Sequence, residues 1–183
     1  GSYGASTVSG QLASARQPAN GQQQGTVSAN VAAGRQSSGN LLIASFNIQV
    51  LGQSKISKPG MKEKLAHVIR QFDLVAIQEV RAKADNVIPD LVATVNANGS
   101  RYNFVIGPRL GRSNSKEQYT YVFNTNTVEH DPSSVGTVND PNDLLHREPF
   151  VTRFRARTQS PSQAFTFWMV NIHTCLLYTS PSP

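Results

Sequence analysis

Three polar side chains stand just past the ends of apolar runs: Asn47 after LLIASF, Glu79 after DLVAIQ, and His173 after FTFWMVNI. In open sheets that contain parallel strands, sites form beyond the carboxyl ends of the strands. An amide, a carboxylate and an imidazole converging there would suit a hard divalent cation with an acid–base group beside it. Taken singly, each residue also has an ordinary reading. Asn47 reads as a turn former, Glu79 as a solvated strand end, and His173 as a satisfied core or loop histidine.

The elements that must position them are legible in the hydrophobic pattern. LLIASF (41–46) and DLVAIQE (73–79) read as buried strands. Between them, Pro59-Gly60 introduces MKEKLAHVIRQF, whose Met61, Leu65, Val68, Ile69 and Phe72 share one helical face. Val87, Ile88, Leu91, Val92 and Val95 form a second helical stripe, ended by Asn98-Gly99. YNFVIG (102–107), YTYVFN (119–124), FVTRFRAR (150–157) and FTFWMVNI (165–172) are strand-like. A β-α-β-α opening followed by consecutive strands predicts an α+β fold, a layered sandwich with a mixed sheet.

Composition divides the 183 residues into three segments. Residues 1–39 are mostly Gly, Ser, Ala and Gln, with Arg16 and Arg35 and no acid. Such a stretch cannot bury enough surface to offset its ordering entropy, so a disordered tether is expected. Residues 40–174 are periodic and hold the other 15 basic and all 11 acidic side chains, a net charge of +4. That mild positive balance fits a polyanionic partner without establishing one. The last nine residues, CLLYTSPSP, break the pattern and match the translation of a transposase sequencing adaptor. They are therefore expected to be a non-native tail over 175–183. Cys175, the only cysteine, then says nothing about redox compartment, and a disulfide scaffold is ruled out. No run approaches the ~18 apolar residues of a membrane-spanning helix. The chain starts GSYGAS, which leaves an upstream leader or membrane anchor, and hence a secreted or anchored form, compatible with the sequence.

FNIQVLG, DLVAIQEVR, LGRSNSKEQY, REPFVTRF and VNIHT occur in this order across residues 41–174. With those spacings the chain resembles the endonuclease/exonuclease/phosphatase superfamily, most closely its deoxyribonuclease I-like branch. The resemblance implies a layered α/β/β/α sandwich, here reduced to roughly its first half, and phosphoester cleavage with Mg²⁺ or a similar ion (Mn²⁺ or Ca²⁺). It implies that Glu79 is the metal-binding glutamate and Asn47 the asparagine beside metal and scissile phosphate. His173 matches the first catalytic histidine, and Glu117 the carboxylate that orients it. Arg81, Arg112 and Arg147 match arginines that contact nucleic acid. The implied partner is a nucleic-acid substrate, DNA by the branch resembled, acted on by a monomer with no stable protein partner.

The chemistry of these roles is coherent. Mg²⁺ takes oxygen ligands near about 2.1 Å and keeps several waters, so one carboxylate plus substrate phosphate oxygens suffices. A glutamate on the far ring nitrogen fixes a histidine's tautomer, as a general acid requires. Arginine forks match phosphate oxygens bidentately.

The sequence also departs from the family. Ser115 stands where nucleases of this branch place a groove-stacking tyrosine, and the family's motifs beyond the first catalytic histidine do not follow His173. His67, His130 and His146 match no motif. Two rival readings follow: a phosphatase or lipid phosphodiesterase of the same superfamily, or a catalytically dead module that binds nucleic acid or protein. LGRSNSKEQY favours the nuclease over the first, and joint retention of Asn47, Glu79, Glu117 and His173 opposes the second. The 183-residue chain by itself is expected to be inactive and without a cooperative unfolding transition, since a two-sheet sandwich needs both sheets.

Overall fold

The computed structural model describes residues 39–112, 114–158 and 161–174. The expected tether, apart from Gly39, and the tail from Cys175 onward lie outside the described residues. The elements are β1 (Ile43–Leu51), α1 (Gln53–Ile56), α2 (Met61–Ile69), β2 (Leu74–Val80), α3 (Val87–Asn96), β3 (Tyr102–Ile106) and β4 (Gln118–Asn124). They continue with β5 (Val128–Thr137), β6 (Phe150–Ala156), a 3-10 turn (Pro161–Gln163) and β7 (Thr166–Asn171).

The strands form two sheets. The first has the order β1-β2-β4-β3, with β1 parallel to β2 and the other pairs antiparallel. The second, β5-β6-β7, is antiparallel throughout. Side chains alternate across a strand, so β2 serves two cores at once. Val75 and Ile77 pack with Leu65, Ile69, Ile88 and Leu91 of the helices. Leu74 and Ala76 face the other way, with Tyr121, Phe123, Phe150 and Phe154 between the sheets. The result is the expected α+β layering: helices, mixed sheet, antiparallel sheet.

Two differences from the sequence reading have physical causes. The strand β5 has no alternating apolar pattern because it is an edge strand, the place where Pro132 loses no ladder hydrogen bond. Its register shifts between Asp131 and Gly136, and the Asp131 carboxylate accepts the Ser133 amide (3.0 Å) and the Arg153 guanidinium. These contacts hold that carboxyl down at about 2, the hydrogen bonds from Ser133 contributing first and those from Arg153 next.

The second difference concerns the inter-sheet core. The two sheets pack on each other within the described residues, but their shared core is open along the β1/β7 edge, where Ile43 and Ile172 are exposed beside Ala76 and Met169. Tyr121 stacks on Phe150 and meets Phe154 edge-on, both at 5.6 Å between ring centroids. The outer face of the second sheet is open as well. There Trp168 and Val170 are 58% and 57% exposed, with no helix over them among the described residues. No helix among those residues is long and apolar enough to cross a membrane.

Candidate active site

The backbone turns irregular where β1 and β2 approach their carboxyl ends. The register of β1 against β2 shifts between Asn47 and Leu51, and that of β2 against β4 between Ile77 and Val80. Gln49, Val50 and Glu79 lie in the left-handed region, with φ of 51°, 60° and 62°. For a β-branched residue such as Val50 this is an outlier, and strain of this kind persists only where surrounding contacts over-determine it. Bulges re-aim side chains, and here they swing Glu79 out of the buried alternation of β2.

Side-chain contacts hold the bulge in place. Glu79 Oε1 accepts the Asn47 amide Nδ2 at 2.9 Å, and Oε2 accepts the Val50 backbone N–H at 2.9 Å. Asn47 Oδ1 accepts the N–H of Gln49 at 2.9 Å. His173 Nε2 lies 3.4 Å from Asn47 Nδ2 and 3.5 Å from Glu79 Oε1. Burial by itself would raise the Glu79 pKa. The hydrogen bonds from Asn47 and Val50, with His173 and Arg81 nearby, outweigh it and hold the carboxyl below its ordinary range.

Behind the imidazole sits Glu117, whose side chain is fully buried. Its Oε2 meets His173 Nδ1 at 3.0 Å, while Oε1 accepts Arg81 Nε and Arg147 Nη2, each at 2.9 Å. A buried carboxylate is tolerable only when paired and hydrogen-bonded, and both oxygens are used here. The backbone N–H of His173 donates to the Tyr119 hydroxyl at 2.9 Å, which fixes the chain that carries the ring. Below the site, Gln78 Nε2 donates to Asn171 Oδ1 at 2.6 Å, and Asn171 Nδ2 donates to the Ile77 carbonyl at 3.0 Å. This buried amide pair ties the first sheet to the second directly beneath Glu79 and His173.

Asn47, Glu79, Glu117, His173 and Arg81 are therefore brought together, while Arg112 and Arg147 are engaged in contacts of their own. Asn47 turns its amide group toward Glu79, and its oxygen accepts the Gln49 N–H with one lone pair left over. The three arginines expected to contact nucleic acid differ in their surroundings. Arg112 pairs with Asp143 at 3.1 Å and bonds the Leu145 carbonyl, pinning a loop. Arg147 is only 6% exposed and lies behind Glu117, with Nε and Nη1 unpaired. Arg81, whose side chain is 33% exposed, keeps an open face beside Glu79. Ser115 is exposed on the loop that leads to Glu117.

Sequence reasoning missed Tyr119, Gln78 and Asn171. A signal existed for two of them: an amide inside an otherwise apolar strand run needs a buried partner, and each supplies the other's.

The residues present suit a divalent cation in part. Each Glu79 oxygen accepts one hydrogen bond, which leaves lone pairs on a 13% exposed side chain. Among the described residues no group of three His, Cys, Asp or Glu forms a closed cage. The Glu79 carboxylate beside an imidazole fits an ion that keeps its waters and borrows substrate oxygens.

These features define a two-sheet sandwich with a carboxylate–imidazole–carboxylate line at its strand ends. No family model matches the chain. It is 32% identical to deoxyribonuclease gamma of Rattus norvegicus over 144 residues, 73% of this chain and 44% of that protein. It is 37% identical to deoxyribonuclease-1-like 2 of Homo sapiens over 119 residues, 63% of this chain and 38% of that protein. A solved endonuclease/exonuclease/phosphatase family protein from Bacteroides thetaiotaomicron matches 71% of this chain and 50% of its own, at a TM-score of 0.47 and 13% identity. The chain spans less than half the length of the curated relatives named here. The sequence likenesses and the ordered motifs place residues 41–174 in the endonuclease/exonuclease/phosphatase superfamily, on its deoxyribonuclease I-like branch.

Proposed function

We propose that this chain is part of a divalent-metal-dependent phosphodiesterase, an endonuclease that hydrolyses DNA. The observation that carries the reading is the His173 ring, held at Nδ1 by buried Glu117 with Nε2 turned toward Glu79. The likeness to proteins named as deoxyribonucleases supports the substrate class.

Glu79 would hold the cation, Mg²⁺ or a similar ion, with Asn47 and the Val50 amide fixing the carboxylate that does so. When bound, the ion would offset charge on the phosphate oxygens and orient them. Glu117 takes the Nδ1 side of His173, so the only ring nitrogen that can exchange a proton with a substrate oxygen is Nε2. Arg81 offers its open guanidinium edge to a phosphate while its Nε secures Glu117. Activity belongs in this reading to the full-length protein. The 183-residue chain alone is proposed to be inactive, since the described residues bring one imidazole to the site and the family's later motifs do not follow it.

The test is hydrolysis by the full-length protein of duplex DNA, single-stranded DNA, RNA, an inositol phosphate and sphingomyelin. Mg²⁺-dependent cleavage confined to DNA is expected. Preference for either of the last two would replace the nuclease reading with the phosphatase or lipid-phosphodiesterase one.

Two further results follow from the geometry. Arg81→Ala should flatten the salt dependence of DNA binding by about one unit of slope, the signature of one lost phosphate contact. His173→Ala should leave that slope nearly intact and suppress turnover. Comparable loss of binding in the two variants would rule out the division of labour.

The second concerns pH. Glu79 titrates below the ordinary glutamate value of about 4.3. Its stabilising contribution is therefore fully present above that value and is lost as pH falls through the depressed one. The acid limb of the metal-free protein's stability curve should move to higher pH in Asn47→Ala, which removes one of the bonds that depress it. An unmoved limb would contradict the assignment.

A further inference from the structure

The bulge that aims Glu79 needs something to hold its carbonyls as well as its amides. Asn47 Oδ1 and Glu79 Oε2 take the N–H groups of Gln49 and Val50. Two consecutive left-handed residues turn the carbonyls of Ile48 and Gln49 to the opposite side, out of the strand ladder. Both carbonyls are met there by one group, the ammonium of Lys55, which donates to Ile48 O at 2.7 Å and to Gln49 O. Lys55 comes from α1, the single turn that begins directly after the bulge, and is half-buried. The charges that face Glu79 are those of His173 and Arg81. The influence of Lys55 therefore runs through the backbone.

We propose that Lys55 is a positioning residue for the candidate active site: it clamps the Ile48 and Gln49 carbonyls so that the Val50 N–H and Asn47 stay aimed at Glu79. The clamp rests on the nuclease reading only for its effect on turnover; its effect on the bulge is independent of that reading. An ammonium suits the task because it is a compact charge with three donors on a flexible stem, able to serve two carbonyls that no rigid fork need match. The sequence presents Lys55 as one of four lysines between residues 55 and 64, a pattern that reads as a solvated basic face. The geometry separates it from that group.

The experiment uses the full-length protein and three variants, Lys55→Met, Lys55→Gln and Lys55→Arg. Without metal or substrate, hydrogen exchange at the Val50 amide should accelerate by about tenfold in Lys55→Met, while β2–β4 amides such as that of Val122 keep their protection. With DNA and Mg²⁺, Lys55→Met should lower kcat by about 10–100-fold, the scale of a displaced catalytic group, with KM and the salt slope of binding little changed. Lys55→Gln, which keeps an NH₂ donor group but loses the charge and part of the reach, should fall between, and Lys55→Arg should recover most of the protection and the rate. Unchanged Val50 exchange in Lys55→Met overturns the proposal whatever the activity. So does a reduced salt slope with normal kcat, which would make Lys55 a phosphate contact. Loss of protection throughout β2 and β4 in all three variants would show a general folding role and also overturn it. Absence of nuclease activity in the wild type, with the exchange result intact, would instead count against the nuclease reading alone.

Discussion

Glu79→Gln is expected to lower hydrolysis of DNA by the full-length protein at least ~100-fold, consistent with losing several kcal/mol of metal-based stabilisation. The substitution preserves shape and removes charge, so it isolates what the carboxylate supplies. It also breaks a local symmetry. Both Glu79 oxygens are acceptors, one for Asn47 Nδ2 and one for the Val50 N–H, and a glutamine has only one oxygen to offer. Whichever donor loses its acceptor meets an NH₂ group instead, so the strained bulge at Gln49 and Val50 should loosen as well. Rates measured across a Mg²⁺ titration decide the matter. Recovery at high Mg²⁺ would mean weakened metal affinity, and a rate that stays low would mean misplaced substrate. Near-normal rates at every concentration would remove Glu79 from the site altogether.

Much of the framework behind that expectation is legible in the sequence because it rests on repetition. The stripe Val87, Ile88, Leu91, Val92 and Val95 and the run Leu74 to Ile77 repeat at the helix and buried-strand periods, and each becomes the element its period implies. The three residues that follow the apolar runs meet in space for the same reason, since parallel β1 and β2 bring Asn47 and Glu79 side by side and His173 follows β7 beside them. The illegible parts depend on single contacts. Strand β5 gains its place by pairing Glu129 and Asp131 with arginines of β6, and pairing across a register shift leaves no period to read. The orientation of Asn47, amide nitrogen to Glu79 and oxygen to Gln49, goes with left-handed backbone at Gln49 and Val50, which neither residue type announces. The burial of Arg147 was hidden likewise, because an arginine in REPF reads as surface until its pairing with buried Glu117 is known.

That burial sets up the other large effect, at Glu117. Removing one partner of a buried ion pair strands the rest and costs about 3–5 kcal/mol. Glu117→Ala should be at the upper end, because it leaves Arg147 Nη2 unpaired beside Nε and Nη1, which are unpaired already. It also frees the Nδ1 side of His173, so turnover should fall by more than the loss of folded protein explains. Two further variants separate these consequences. Glu117→Gln keeps the shape and can still accept from Arg81 and Arg147 through its oxygen, but then presents NH₂ to His173 Nδ1. That reverses the bond, makes Nδ1 the acceptor and moves the neutral ring's proton to Nε2. Thermal stability should fall less than in Glu117→Ala, since the hydrogen bonds survive while the counter-charge of buried Arg147 is lost, and kcat per folded molecule should drop about 100-fold or more, by analogy with the general cost of a wrong tautomer. The pair Glu117→Leu with Arg147→Met removes both buried charges, so its stability should recover relative to Glu117→Ala without any recovery of kcat. Melting temperatures and single-turnover rates on the three proteins give the answer. If Glu117→Gln turned over within about twofold of wild type, a change worth only ~0.4 kcal/mol, the tautomer of His173 would be irrelevant to the reaction and Glu117 would be a structural counter-ion only.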